Sequence, residues 1–225
     1  MSMQKKKHWE NIYQTKKIDG VSWYQETPFE SIELIKKFST TNSDMIIDIG
    51  CGKSFLADNL LKLNYKNITL VDISKNALKE VKERLNDESL NFIETDVLNL
   101  KVEQKFDIWH DRAVFHFITD KEGVKKYISL CNKYIGKGGK LIIGTFAEDG
   151  PLKCSGLEIK RYSIKNLKEL FKENFEFIEG FKKLHSTPFD SQQSFTFCVF
   201  KKVTNRSATS FILTLAIFQI VNMQS

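Results

Sequence analysis

From Met45 onward, short apolar runs alternate with stretches of helical periodicity, and this alternation limits the fold more than any other feature of the chain. Met45-Ile46-Ile47-Asp48-Ile49, stopped by Gly50, reads as a strand buried on both faces. A helix is expected from Ser54 through Leu56, Leu60 and Leu61, then a second strand at Ile68-Thr69-Leu70-Val71. Ser74 reads as the N-cap of a helix with Ala77, Leu78, Val81 and Leu85 on one face. Asn91-Phe92-Ile93 and Phe106-Asp107-Ile108-Trp109 follow as the third and fourth strands. Thr119-Asp120-Lys121-Glu122 fits a capping box opening a helix with Val124, Tyr127, Ile128 and Cys131 inward. Gly136 to Gly139 then turns into a fifth strand, Lys140 to Phe146. After a polar stretch to Tyr162 comes a helix with Ile164, Leu167, Leu170 and Phe171. Two final strands, Phe175 to Leu184 and Ser194 to Lys202, are joined by a connection too short for a crossover helix, so they should run antiparallel. Strands separated by helices form right-handed βαβ units. The expectation is α/β: a doubly wound, seven-stranded sheet, mostly parallel, with an antiparallel last strand.

Two segments flank that sheet. Residues 1–40 carry Trp9, Tyr13, Trp23, Tyr24 and Phe29 and are expected to form an aromatic helical cap on a domain spanning 41–203. Residues 204–225 contain the apolar run Phe211 to Val221, too short to span a bilayer, which takes about 20 apolar residues. It is expected to lie outside the core fold. A chain that is 41% hydrophobic is neither disordered nor collagen-like. The net charge of +6 resides on lysines interleaved with acids, the pattern of a solvated surface, and gives no reason to expect a nucleic-acid partner. Cys51, Cys131, Cys154 and Cys198 form no C-x-x-C pair, and Lys5-Lys6-Lys7 leads into His8-Trp9-Glu10, not into an apolar leader. Reduced thiols and a cytoplasmic location follow as expectations. His110 and His116 are six apart with no cysteine cluster beside them, so no metal site is expected.

The chemistry concentrates at strand ends. Asp48-Ile49-Gly50-Cys51-Gly52 closes the first strand, Asp72 ends the second, and Glu94-Thr95-Asp96-Val97 follows the third. Glycines here bring backbone close to a ligand, in the crevice where such sheets bind nucleotides. An acid ending strand two is placed for ribose hydroxyls, and one after strand three for an adenine amino group. The pyridine-dinucleotide fingerprint needs a third glycine, but Gly52 is followed by Lys53, Ser54 and Phe55. An oxidoreductase reading finds a Tyr-x-x-x-Lys spacing in Tyr13 and Lys17, yet these precede the glycine loop.

The set Asp48, Gly50, Gly52, Asp72 and Asp96 instead resembles the class I S-adenosylmethionine-dependent methyltransferases, over about residues 8–202. The stretches His8-Trp9-Glu10, Val21 to Gln25, Trp109 to Phe117, and Cys154 to Leu157 with Arg161-Tyr162 resemble a subfamily of small methyltransferases. Its members are described by analogy with thiopurine or trans-aconitate methyltransferases. This resemblance implies a Rossmann-like fold and S-adenosyl-L-methionine as cofactor. It places Asp48, Gly50, Gly52, Asp72, Asp96, Val97 and Trp23 around that cofactor, with Trp23 either a lid or an anchor. It makes His110, Asp111 and Arg112 the catalytic candidates, His110 as a base, and Arg161, Tyr162 and His116 candidates for acceptor binding. Arg112 and Arg161 would clamp an anionic acceptor. His116, between Phe115 and Phe117, also reads as a satisfied structural histidine. The acceptor is expected to be a small molecule or a protein side chain. Base N-methylation is not expected, because His110-Asp111-Arg112-Ala113 replaces the Asn/Asp-Pro-Pro-aromatic tetrad of nucleic-acid amino methyltransferases. A catalytically silent cofactor-binding module is the remaining alternative.

Overall fold

The computed structural model of the chain describes residues 3–203; the expected apolar tail, 204–225, lies outside the described residues. Two helices come first, α1 (Met3–Thr15) and α2 (Phe29–Phe38). The βαβ series follows: β1 (Ile46–Ile49), α3 (Leu56–Lys62), β2 (Ile68–Asp72), α4 (Lys75–Leu85), β3 (Asn91–Glu94), β4 (Phe106–Arg112), α5 (Lys121–Tyr134) and β5 (Ile135–Phe146). A small hairpin, β6 (Lys153–Cys154) and β7 (Leu157–Glu158), precedes α6 (Ile164–Phe171), β8 (Phe175–Ser186) and β9 (Gln192–Lys202). The main sheet has seven strands in the order β3-β2-β1-β4-β5-β9-β8. β1 to β5 pair in parallel, whereas β9 is antiparallel to both β5 and β8. This is the expected doubly wound α/β sheet. No helix among the described residues is long and apolar enough to cross a membrane.

Alternation along each strand divides the core into two layers. Ile46, Ile68, Leu70, Ile108 and Ile142 pack with α2, α3 and α4 on one face. Ile47, Ile49, Trp109, Leu141 and Ile143 pack with α5 and α6 on the other. Ser74 caps α4 as expected, its hydroxyl accepting from the Ala77 N–H. The same terminus receives a second cap from far away. The Glu10 carboxylate accepts from the Ser74 hydroxyl (2.9 Å) and from the Lys75 and Asn76 N–H groups (2.8 and 3.2 Å), fastening α1 onto α4.

The structure departs from the sequence reading in four local ways. β4 runs three residues past Trp109, because its ladder to β5 continues as far as Arg112 opposite Gly144. His110, Asp111 and Arg112 therefore sit on a strand, not after it. β5 begins at Ile135, where α5 passes straight into strand pairing with Phe106 and a register irregularity absorbs the glycines. α5 is capped by Asp120, not Thr119: its carboxylate accepts from the Gly123 N–H at 2.7 Å. The polar stretch after Phe146 holds the β6–β7 hairpin, whose turn residues Ser155 (φ 49°) and Gly156 (φ 78°) are both left-handed, as a type I′ turn requires.

Candidate active site

The crevice lies beyond the carboxyl ends of β1, β2 and β4. After Ile49 the chain turns at Gly50 (φ +66°), and the Gly50 and Cys51 N–H groups donate to the Val71 carbonyl at 2.7 and 3.1 Å, pinning the turn to β2. The two glycines are expected to bring backbone close to a ligand. The structure fills the nearest space with protein: a Cβ at Gly50 would lie 2.0 Å from Val114 Cγ2, and one at Gly52 2.5 Å from the Tyr13 hydroxyl.

Asp72, at the tip of β2, joins the two loops around it. One carboxylate oxygen accepts from the Gly52 N–H (2.9 Å) and the other from the Ser74 N–H (2.8 Å). Burial pushes this carboxyl up to about 6. Asp96 caps the helical turn Val97–Asn99, one oxygen accepting from the Leu98 N–H at 2.9 Å. Its other oxygen is buried and finds no partner among the described residues. Such an atom is costly unless a donor meets it.

Two adjoining cavities share Tyr13, Trp23, Gly50 and Arg112 as walls. The larger, about 780 Å³, brings together Asp72, Asp96, Val97 and Gly50 under a roof of Trp9 and Trp23, whose rings meet edge to face at 5.8 Å. The smaller, about 690 Å³, is bordered by Asp48, Gly52 and His110, with Lys16, Lys17 and Lys53 also on its walls. Tyr13, Lys53 and Ser31 line these spaces without having been expected there.

The remaining candidates divide. His110 faces the smaller cavity but has both ring nitrogens engaged: Nδ1 with Asp48 Oδ1 at 2.7 Å, Nε2 with Ser31 Oγ at 2.9 Å. Neither ring nitrogen is left free, and its partner is Asp48, not the neighbouring Asp111. Asp111 points to the opposite layer, where it accepts from the Val114 and Phe115 N–H groups and from the Tyr127 hydroxyl. It holds the turn after β4 and lines neither cavity. Arg112 lines both; Nη1 donates to the Trp23 carbonyl at 3.1 Å, and the guanidinium lies 4.9 Å from the centre of the Phe195 ring. No carboxylate among the described residues pairs with it, and burial lowers its pKa to about 10. His116 is buried, stacked on Phe146 at 4.6 Å, and held down to about 3 by burial and the Arg112 charge. Tyr162 stacks on Phe115 within the opposite layer, and Arg161 is exposed with Nη1 donating to the Gly150 carbonyl. His116, Arg161 and Tyr162 line neither cavity, so the structure does not bring these three acceptor candidates to the crevice.

A family model described as a methyltransferase domain matches residues 40–195. Malonyl-[acyl-carrier protein] O-methyltransferase 2 of Ilyobacter polytropus is 29% identical over 143 residues, 62% of this chain and 52% of that protein. The mouse eEF1A lysine and N-terminal methyltransferase is 25% identical over 155 residues, 65% of this chain and 22% of that protein. The chain thus spans about half the length of the first relative and about a fifth of the second. Among solved structures, the N-methyltransferase NodS from Bradyrhizobium japonicum, in complex with S-adenosylhomocysteine, superimposes with a TM-score of 0.66 at 15% identity, covering 87% of this chain and 98% of that one. The order of the strands, the acids at their tips and a family model extending over well more than half of the sequence lead to one assignment: this chain belongs to the methyltransferase-domain family.

Proposed function

We propose that the chain is an S-adenosylmethionine-dependent methyltransferase whose acceptor is a carboxylate. The observation carrying the cofactor reading is the convergence of Asp72, Asp96 and the Gly50 turn on one roofed cavity, with a buried Asp96 oxygen still without a donor. An adenine amino group supplies such a donor, and ribose hydroxyls supply donors for Asp72. When bound, the cofactor brings a sulfonium-activated methyl group, so the protein's contribution is mainly alignment. Trp9 and Trp23 cover the crevice and exclude water from it.

Arg112 and the engaged histidines support the acceptor reading. A half-buried guanidinium with no carboxylate partner among the described residues, open to both cavities, favours an anionic ligand. His110 has no free nitrogen and His116 is neutral and enclosed, so neither takes a proton from the acceptor. A carboxylate oxygen needs no deprotonation near neutral pH. The malonyl group named in the Ilyobacter relative carries such a carboxylate. A small acid also fits the trans-aconitate side of the resemblance carried by Trp109 to Phe117 and the other stretches.

Calorimetry tests the cofactor half: S-adenosylhomocysteine is expected to bind and NADH not to, and preference for NADH would reverse the reading. For the acceptor half, labelled methyl transferred to a small-acid library is expected in base-labile form, released as volatile methanol by alkali. Arg112→Met is expected to lower acceptor kcat/KM by about 10- to 100-fold, the loss of a charge-assisted hydrogen bond of roughly 1.5–3 kcal/mol. Its affinity for S-adenosylhomocysteine should stay within about threefold of the parent's, since the adenosyl contacts lie elsewhere. A parallel loss of that affinity would move the guanidinium to the cofactor's own carboxylate.

A further inference from the structure

A hydrogen-bonded chain crosses from the cap into the sheet. Ser31, on α2, meets His110 Nε2 at 2.9 Å, and His110 Nδ1 meets Asp48 Oδ1 at 2.7 Å. His110 and Asp48 stand directly opposite in the β1–β4 register, so the pair is set by main-chain geometry. All three side chains are buried, at 1, 2 and 4% exposure, and all three border the smaller cavity. A buried carboxylate is costly without donors, and His110 supplies one to a single oxygen of Asp48. With Nδ1 engaged by Asp48, Nε2 meets the Ser31 hydroxyl. Ser31 then fixes the ring, and the ring fixes the carboxylate.

The smaller cavity has the charge pattern of a zwitterion's receptor. Asp48 is its carboxylate wall, while Lys16, Lys17 and Lys53 place cations around it. Lys53 is already committed, donating to the Tyr13 carbonyl at 2.6 Å and pairing with Glu80. The larger cavity presents the acids Asp72 and Asp96 and the aromatic roof, suited to a nucleoside.

We infer that Ser31 and His110 are positioning residues that hold the Asp48 carboxylate for the α-ammonium of the cofactor's amino-acid end, so that α2 takes part in distinguishing the complete cofactor from its nucleoside fragment. This rests on the cofactor reading above. Neither residue touches the reacting methyl group in this assignment; both act through Asp48, as outer partners orient a ligating side chain elsewhere.

Calorimetric titration of the full chain with two probes tests it: S-adenosylhomocysteine, which has the amino-acid end, and 5′-methylthioadenosine, which lacks it. The parent protein should bind the first more tightly than the second. His110→Ala should weaken S-adenosylhomocysteine about 10- to 30-fold and Ser31→Ala about 3- to 10-fold, with methylthioadenosine affinity held within about twofold in both. His110→Asn, which restores a donor beside Asp48, should recover part of the discrimination lost in the alanine variant. Ser31→Ala removes a single oxygen and keeps α2 intact, so the comparison stands if the histidine variants fold poorly. Equal loss for both probes would show that the chain of bonds serves packing alone and overturn the assignment, as would no loss for either. A parent protein that binds neither probe would instead overturn the cofactor reading itself.

Discussion

Asp72→Ala is expected to lower the affinity for S-adenosylhomocysteine by roughly 100- to 10,000-fold. Two ribose hydroxyls donating to one carboxylate make charge-assisted bonds of about 1.5–3 kcal/mol each. The side chain also holds the Gly52 and Ser74 N–H groups, so its removal loosens both walls of the crevice. Asp72→Asn keeps an acceptor oxygen and should fall between the two. The reading carries a pH signature. Burial raises this carboxyl from the ordinary 3.8 to about 6, so the folded chain holds that proton more tightly than the unfolded chain does. Its contribution to the stability of the ligand-free protein is therefore present below about pH 4 and lost as pH rises through about 6. Ligand binding runs the other way, because the ionised carboxylate is the better acceptor. Below about pH 6 the affinity should weaken by up to about tenfold per unit, and Asp72→Asn should remove that dependence. Titration calorimetry and thermal unfolding across pH 5 to 8 check both directions, and a pH-independent affinity would exclude the contact.

The second large effect is expected at Gly50. Alanine there must adopt φ +66° and place its Cβ 2.0 Å from Val114 Cγ2. The left-handed backbone costs about 1–2 kcal/mol and the overpacking about 1–3 kcal/mol. A total of about 2–5 kcal/mol is a large share of the usual 5–15 kcal/mol of stability. Urea unfolding measures it. Adding Val114→Ala should return the steric part and leave the backbone part, a separation that a double-mutant cycle reads directly. An unchanged unfolding midpoint in Gly50→Ala would mean that the turn is not built as described.

Legibility in the sequence followed physical visibility. Ile46 to Ile49 reads as a buried strand because both of its faces meet hydrocarbon, leaving an apolar run that no exposed segment would carry. Asp48, Gly50, Gly52, Asp72 and Asp96 were legible because each sits where such a run stops. The directions of side chains around β4 were not. Ending that strand at Trp109 hides the alternation that sends His110 and Arg112 to one face and Asp111 to the other. The β6–β7 hairpin has two residues per strand, too few to show a period. Ser31 lies 79 positions from His110 and Glu10 lies 64 from Ser74, so only the folded chain brings these partners together. Arg161 has the right chemistry for a clamp and Tyr162 for acceptor binding, but the loop carries one to solvent and the other into the far layer.

The attachment of α1 has a consequence for how the crevice is controlled. Tyr13 is the one buried residue of that helix, and the helix's outer edge is tied down by charge: Glu10 on the start of α4, Lys6 on Glu94, and Lys5 on the Phe117 carbonyl. Contacts of this kind near the surface are screened by dissolved ions, whereas the hydrocarbon between sheet and helices is not weakened by them. Salt is therefore expected to loosen the outer edge of α1 while leaving the apolar packing of Trp9 and Tyr13 and the floor of the crevice in place.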